Sequence, residues 1–242
     1  MSKKQKELIE KFMSVYAKEY DYYYKLSSEI SREIEVLLSE AGVRAIVSFR
    51  AKGMESLERK LQKRNIEGNG KKYDDLNDIY NDMVDLAGVR VALYFPGDIE
   101  KVTSIIRGKY NELKCKDFPD ISQKKDQGVY FKRFDGYHAR HFRITRNDSS
   151  RYADTPVEVQ VASVLMHAWS EVEHDLVYKP MSGGISKEEL MILDEINGMV
   201  ISGNIALERL QSAIIDRVNE ENYIFQNHYD LAAALLNKSD FG

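Results

Sequence analysis

Four short stretches carry residue types suited to chemistry on anions. Arg50-x-Lys52-x3-Ser56 gathers two cations and a hydroxyl where an apolar run gives way to a helical period. A helix N-terminus flanked by cations is a ready phosphate cradle, because its free N–H groups and its dipole both favour negative charge. Asp85-x2-Gly88-x-Arg90 sets a carboxylate just before a second apolar run and a guanidinium just inside it. Carboxylate oxygens are hard ligands that suit Mg2+, and a guanidinium can stack on a base. Tyr137-x3-His141 and Glu158-Val-Gln160 complete the set.

Side chains on a strand alternate between two faces, which divides each apolar run into two sides. Val89, Val91, Leu93 and Phe95 share one side and leave Arg90 on the other; Val157, Val159 and Val161 likewise leave Glu158 and Gln160. Tyr137, Ala139, His141 and Arg143 fall together, and Arg50 lies opposite Val47 and Phe49. Periodicity alone also fits the solvated outer face of an antiparallel sheet. The cations and hydroxyl grouped at a strand-to-helix junction favour an anion site.

The elements that must hold these residues are legible from hydrophobic period. Residues 3–41 read as helix, with Leu8, Ile9, Phe12, Tyr16, Tyr20 and Tyr23 recurring at three- and four-residue steps and Gly42 at the cap position. A strand over 44–50 leads into a helix through Leu57 and Leu61, a loop at Gly68–Gly70 and a helix over 74–84. A strand over 89–95 follows, and Asp98 is positioned to cap a helix bearing Ile99, Val102 and Ile106. Residues 112–128 read as irregular, 129–134, 138–145 and 157–161 as strands, and Val161 to Leu176 as a helical stripe. Ser186-Lys-Glu-Glu189 matches a capping box. It opens a seam of Leu193, Ile196, Val200, Leu207, Leu210 and Ile214, interrupted by Gly203, before a last helix over 223–236. The expected fold is α+β: a mixed sheet of about five strands with long helical extensions at both ends. One domain is expected, with N-terminal helices over 1–42, a core over 43–180 and C-terminal helices over 181–242.

Composition narrows the function classes. A lone cysteine, Cys115, cannot close an intramolecular disulfide and points to a reducing compartment. No uninterrupted run of about eighteen apolar residues is present. The charged N-terminus has no signal-peptide block, so the cytoplasm and no membrane partner are expected. The net charge of −4 argues against a dedicated nucleic-acid-binding domain, although Lys124, Lys125, Lys132 and Arg133 form a local basic patch.

In this order, the four motifs and the downstream Trp169-x3-Glu173-His174-x3-Tyr178-Lys179 resemble the synthetase domain of the RelA/SpoT family, over roughly 43–180. In size the chain is similar to the small alarmone synthetases. The resemblance implies transfer of the β,γ-pyrophosphate of ATP to the ribose 3′-OH of GDP or GTP, with Mg2+ as cofactor. By the same resemblance, Arg50 and Arg90 sandwich adenine while Lys52 and Ser56 touch the ATP phosphates. Asp85 and Glu158 hold Mg2+, and Glu158 also helps deprotonate the acceptor hydroxyl. Tyr137 stacks on the acceptor base with Gln160 beside it, and His141 lies near the acceptor phosphates or the transferring group.

The departures from the family pattern fall on the acceptor side. Ala162 and Ser163 stand where a basic residue and threonine are usual, His167 replaces an asparagine common in guanosine-specific members, and the segment 116–135 is long. His167 becomes the candidate for reading the base edge. The alternatives for the acceptor are the 3′ end of tRNA, as in toxin-like members, or an adenosine nucleotide. A further alternative is a non-catalytic nucleotide sensor. No hydrolase domain is evident, so synthesis without degradation is expected. His167, Glu171 and His174 share a helical face and form a weaker candidate transition-metal trio. The C-terminal seam is expected to pack within the chain or against a second copy, forming a homo-oligomer.

Overall fold

A computed structural model of the chain describes residues 3–66, 73–119, 132–134, 136–178, 184–219 and 224–239. Helix α1 (Lys3–Glu40) leads to strand β1 (Ala45–Ala51), helices α2 (Met54–Ile66) and α3 (Leu76–Asp82), and strand β2 (Ala87–Leu93). A 3-10 turn at Pro96–Asp98 precedes α4 (Ile99–Lys109), β3 (Tyr110–Phe118), β4 (Ala139–Arg146) and β5 (Val157–Ser163). Helices α5 (Val164–Tyr178), α6 (Lys187–Asn219) and α7 (His228–Ser239) complete the chain.

The strands order as β1-β2-β5-β4-β3. Only β2 and β5 run parallel; the other three pairings are antiparallel. One sheet face is apolar because Val89, Val91, Phe142, Ile144, Val157, Val159 and Val161 all point to it, each at most 1% exposed. Helix α1 covers that face with Phe12, Tyr16, Leu26, Ile30 and Ile34, so the expected helical stripe packs as its period dictates. Tyr16 and Tyr23 are buried, whereas Tyr24 at the end of the tyrosine run is exposed and packs edge-on against Phe49. At the far edge, Glu33 of α1 accepts from Tyr110 and Arg146, tying the helix to β3 and β4. Gly42 takes φ +68, the left-handed turn that ends α1 and points the chain into β1.

Several expectations are corrected. The fifth strand is not 129–134 but β3, drawn from a stretch that reads as irregular; 132–134 form no strand and 129–131 lie outside the described residues. Strand β3 buries only Tyr110 and leaves the rest of its side chains exposed or half-buried, so its sequence carries no apolar alternation. Asp98 does not cap α4 with its side chain: its Oδ1 accepts from Gln211 of α6 at 2.7 Å. The helix after β5 starts at Val164, and it buries Met166 and Trp169 while Val172 and Leu176 of the expected stripe are about half exposed. The last helix begins at His228. The loop at 68–70 and Lys124 and Lys125 lie outside the described residues. The capping box of α6 is present: Ser186 N–H donates to Glu189 and Glu189 N–H donates to Ser186 Oγ. Helix α6 is long and apolar enough to cross a membrane by length and composition alone. Its Leu193, Asp194 and Asn197 are nonetheless buried against the rest of the chain.

Candidate active site

Strand register places the polar side chains in two straight rows across the uncovered half of the sheet. One row runs Arg50, Gly88, Glu158, Arg143, Lys114 from edge to edge, and the next runs Ser48, Arg90, Gln160, His141, Lys116. A register shift between Glu112 and Lys114 puts both lysines in these rows, the kind of re-aiming a bulge provides. All of Arg50, Arg90, Glu158, Gln160 and His141 therefore meet on one face, as the alternation predicts.

A cavity of about 120 Å3 opens over the β1–β2–β5 part of the rows, walled by Ser48, Arg50, Asp85, Arg90, Glu158 and Gln160. Gly88 lies between Arg50 and Glu158 in the floor, where the lack of a side chain leaves the space open. Asp85 stands at the mouth of β2. Lys52 Nζ donates to its Oδ2 at 2.5 Å and Lys60 Nζ to its Oδ1 at 2.9 Å. Burial pushes the Asp85 carboxyl up, but Lys60 and Lys52 outweigh it and hold the group at about 2. Burial also lowers the Lys52 ammonium despite its carboxylate partner. At Glu158, burial again acts upward, and His141, whose Nδ1 lies 3.6 Å away, brings the carboxyl below its ordinary value with help from Gln160. The Asp85 charge works against that shift, so the two carboxylates feel each other across the cavity. Both are ionised at neutral pH.

The other side of Glu158 is aromatic. Tyr137 Oη lies 3.3 Å from His141 Nε2, and the rings of Phe118, Tyr137 and His141 cluster with centroids 4.6 to 6.0 Å apart. His167 joins them, 6.5 Å from the Tyr137 ring, and its Nε2 lies 3.2 Å from the Val91 carbonyl oxygen. Because a carbonyl only accepts, that contact makes Nε2 the donor and leaves Nδ1 as an acceptor. Burial drives the His167 pKa down to about 4, leaving a neutral ring.

Ser56 is the one expected residue outside this arrangement: it is exposed on the first turn of α2 and does not wall the cavity. The trio His167, Glu171 and His174 does not assemble. Glu171 pairs with Arg90, His174 is exposed beside Asp175, and no group of three metal-ligating side chains occurs among the described residues. Three contributors carry no sequence signal: Lys60, two helical turns beyond Lys52, and Lys114 and Lys116, which only the strand register brings to the site, where they join Arg143 of the face expected from alternation. The Nε atoms of Arg90 and Arg143 are buried without a hydrogen-bond partner, so each guanidinium keeps donor capacity in hand.

A family model described as "Region found in RelA / SpoT proteins" matches residues 49–182, more than half of the chain and every cavity residue except Ser48. The chain belongs to the RelA/SpoT family. It is 26% identical to the GTP pyrophosphokinase YwaC of Bacillus subtilis over 132 residues, 54% of this chain. The match spans 56% of that relative, little more than half its length. Among solved structures, a GTP pyrophosphokinase family protein from Streptococcus pneumoniae aligns over 97% of this chain and 98% of its own, at 19% identity and TM-score 0.59. The small alarmone synthetase 1 of Bacillus subtilis, bound to its product pppGpp, aligns over 81% of this chain and 94% of its own, at 19% identity and TM-score 0.58. These structures share the fold.

The depressed His167 pKa makes a prediction for stability. An unfolded histidine takes up a proton near 6.5 and the folded one only near 4, so its contribution is complete above 6.5 and is lost as pH falls through that window. The thermal midpoint should fall between these pH values, and His167→Asn should flatten the fall. An identical pH profile in the variant would show that His167 is not buried neutral.

Proposed function

We propose that this RelA/SpoT-family chain transfers the β,γ-pyrophosphate of ATP to the ribose 3′-OH of a guanosine nucleotide, GDP or GTP. The observation that carries the reading is the pair of ionised carboxylates, Asp85 and Glu158, in one cavity between a guanidinium-lined half and an aromatic half. The names of the relatives, a GTP pyrophosphokinase and a synthetase with pppGpp as product, agree with it.

Arg50 and Arg90 form the donor side, where planar guanidinium groups suit adenine, and Lys52 and Lys60 stand where phosphate oxygens would replace the Asp85 carboxylate as their partner. Ser56, at the open start of α2, is assigned to the outermost phosphates. Tyr137 offers a face for the acceptor base, with Gln160 and His167 at its edge. Lys114, Lys116 and Arg143 continue the rows past Glu158 and suit the acceptor's own 5′ phosphates.

In the reaction, the acceptor 3′ oxygen bonds to the β phosphorus of ATP. The bond from that phosphorus to the α–β bridging oxygen breaks, and AMP leaves with the electron pair. The hydroxyl proton passes to Glu158, beside which His141 is placed to relay it. Asp85 and Glu158 would supply hard oxygen ligands for Mg2+, and as no third such side chain joins them among the described residues, substrate oxygens would complete its shell. Bound there, the ion would neutralise the charge of the transferring phosphates. Alignment and charge compensation are what phosphoryl-type transfer asks of a protein.

The whole described chain is proposed to act as one synthetase unit, at home in the cytoplasm. A second copy is the proposed cover for the apolar side of α6, where Ile196, Met199 and Leu210 stay exposed. Leu207→Asp should shift a homo-oligomer to a later elution volume, and an unchanged volume in the folded variant would contradict that cover.

Incubation with labelled ATP and GDP, GTP, AMP or deacylated tRNA tests the acceptor. Guanosine nucleotides should be labelled best. Labelling of tRNA alone would replace the reading with a tRNA-modifying one, and binding of ATP without any transfer would mark a sensor. Asp85→Asn and Glu158→Gln should each lower transfer by at least about a hundredfold, the scale of removing a main electrostatic stabiliser. Near-normal turnover in either variant contradicts the two-carboxylate site.

A further inference from the structure

The residue before Tyr137 is gripped by a helix from the far end of the chain. Asn197 of α6, only 1% exposed, accepts from the Gly136 N–H through Oδ1 and donates to the Gly136 carbonyl through Nδ2, both at 3.2 Å. Its amide thus serves both backbone groups of one residue, as a neighbouring strand would. One turn earlier, Asp194, 3% exposed, accepts from the backbone N–H groups of Arg133 at 2.8 Å and Phe134 at 3.2 Å. The Phe134 ring lies against Gly198, where an added Cβ would come within 2.5 Å of it. Lys132 Nζ is 2.5 Å from Glu173 of α5, and Trp169 Nε1 donates to the Leu193 carbonyl at 3.4 Å, closing the frame between the two helices.

Gly136 itself holds φ +81, a conformation that L side chains rarely adopt. The ladder of β4 does not fix that turn, since the strand starts only at Ala139. The grip therefore sets the direction in which the chain enters Tyr137. We infer that Asn197, supported by Asp194 and Gly198, is a positioning residue for the acceptor base, acting through Gly136 on the Tyr137 ring. On this account helix α6 is part of the acceptor site, although it lies outside the matched family region. The inference rests on the proposed transfer reading, because it assigns Tyr137 to the acceptor.

The donor half gives the discriminating readout. Asn197→Ala should raise the acceptor KM on the order of tenfold to a hundredfold, the scale of a sub-ångström to ångström misplacement, and leave the KM for ATP within about twofold. Asn197→Asp keeps an acceptor for the Gly136 N–H but sets a second carboxylate oxygen against its carbonyl, so its acceptor KM should rise at least as far as in Asn197→Ala. Gly198→Ala, which pushes on Phe134 without touching a polar group, should give the same selective rise. Hydrogen exchange at the Gly136 and Tyr137 amides should quicken in Asn197→Ala while the β2 and β5 amides keep their protection. An unchanged acceptor KM, or equal losses for both substrates, overturns the inference, as does unchanged exchange at Gly136. Failure of the transfer reading looks different: the wild-type protein then labels no nucleotide acceptor at all.

Discussion

The arrangement depends on keeping two carboxylates charged on a sheet face that is largely withdrawn from water. Removing an ion from water costs several kcal/mol unless partners replace the lost hydration. Asp85 is kept ionised by Lys52 and Lys60, one from the end of β1 and one from α2, and Glu158 by His141 and Gln160. Each partner comes from a different element, so the charge state of the site is a property of the whole fold. The same pairing fits a site that exchanges partners. On the proposed reading, the lysines paired with Asp85 are the groups that incoming phosphates would recruit.

That charge requirement explains the one-sided sheet. Strand alternation lets β2, β4 and β5 bury Val89, Phe142 and Val159 against α1 while aiming Arg90, His141 and Glu158 the other way. Parallel pairing of β2 with β5 brings the Asp85 end of one beside the Glu158 end of the other. Helix α5 continues directly from β5 and covers only the far part of the polar face, packing Met166 and Trp169 against Ala139 and Ala162 of the sheet and leaving the rows open. Arg90 is held by Glu171 from that helix, so its guanidinium is braced from above as well as from the sheet.

Much of this was legible in the sequence because local rules govern it. The period of α1, the left-handed Gly42, the alternation in β2 and β5 and the capping box at Ser186 are each set by neighbours within a few residues. Strand alternation gives Arg50, Arg90, His141 and Glu158 their common face. What was not legible is set by distant partners. The strand β3 buries only Tyr110 and so shows no apolar alternation, and its bulge decides where Lys114 and Lys116 fall in the rows. Ser56 follows the motif spacing yet is exposed at the start of α2 and does not wall the cavity. His167 is tied to a backbone carbonyl of β2, and Asn197 to Gly136 sixty-one residues away, which no short-range pattern could show.

The central claim is that the face joining Asp85, Glu158 and Tyr137 breaks ATP between its α and β phosphates and keeps the pyrophosphate on a nucleotide acceptor. Phosphorus NMR of the protein with ATP, Mg2+ and GTP or GDP tests this most directly. The account predicts AMP appearing in step with an acceptor that carries a new 3′ diphosphate, and no ADP. ADP with free phosphate, or AMP with free pyrophosphate and an unmodified acceptor, would contradict it.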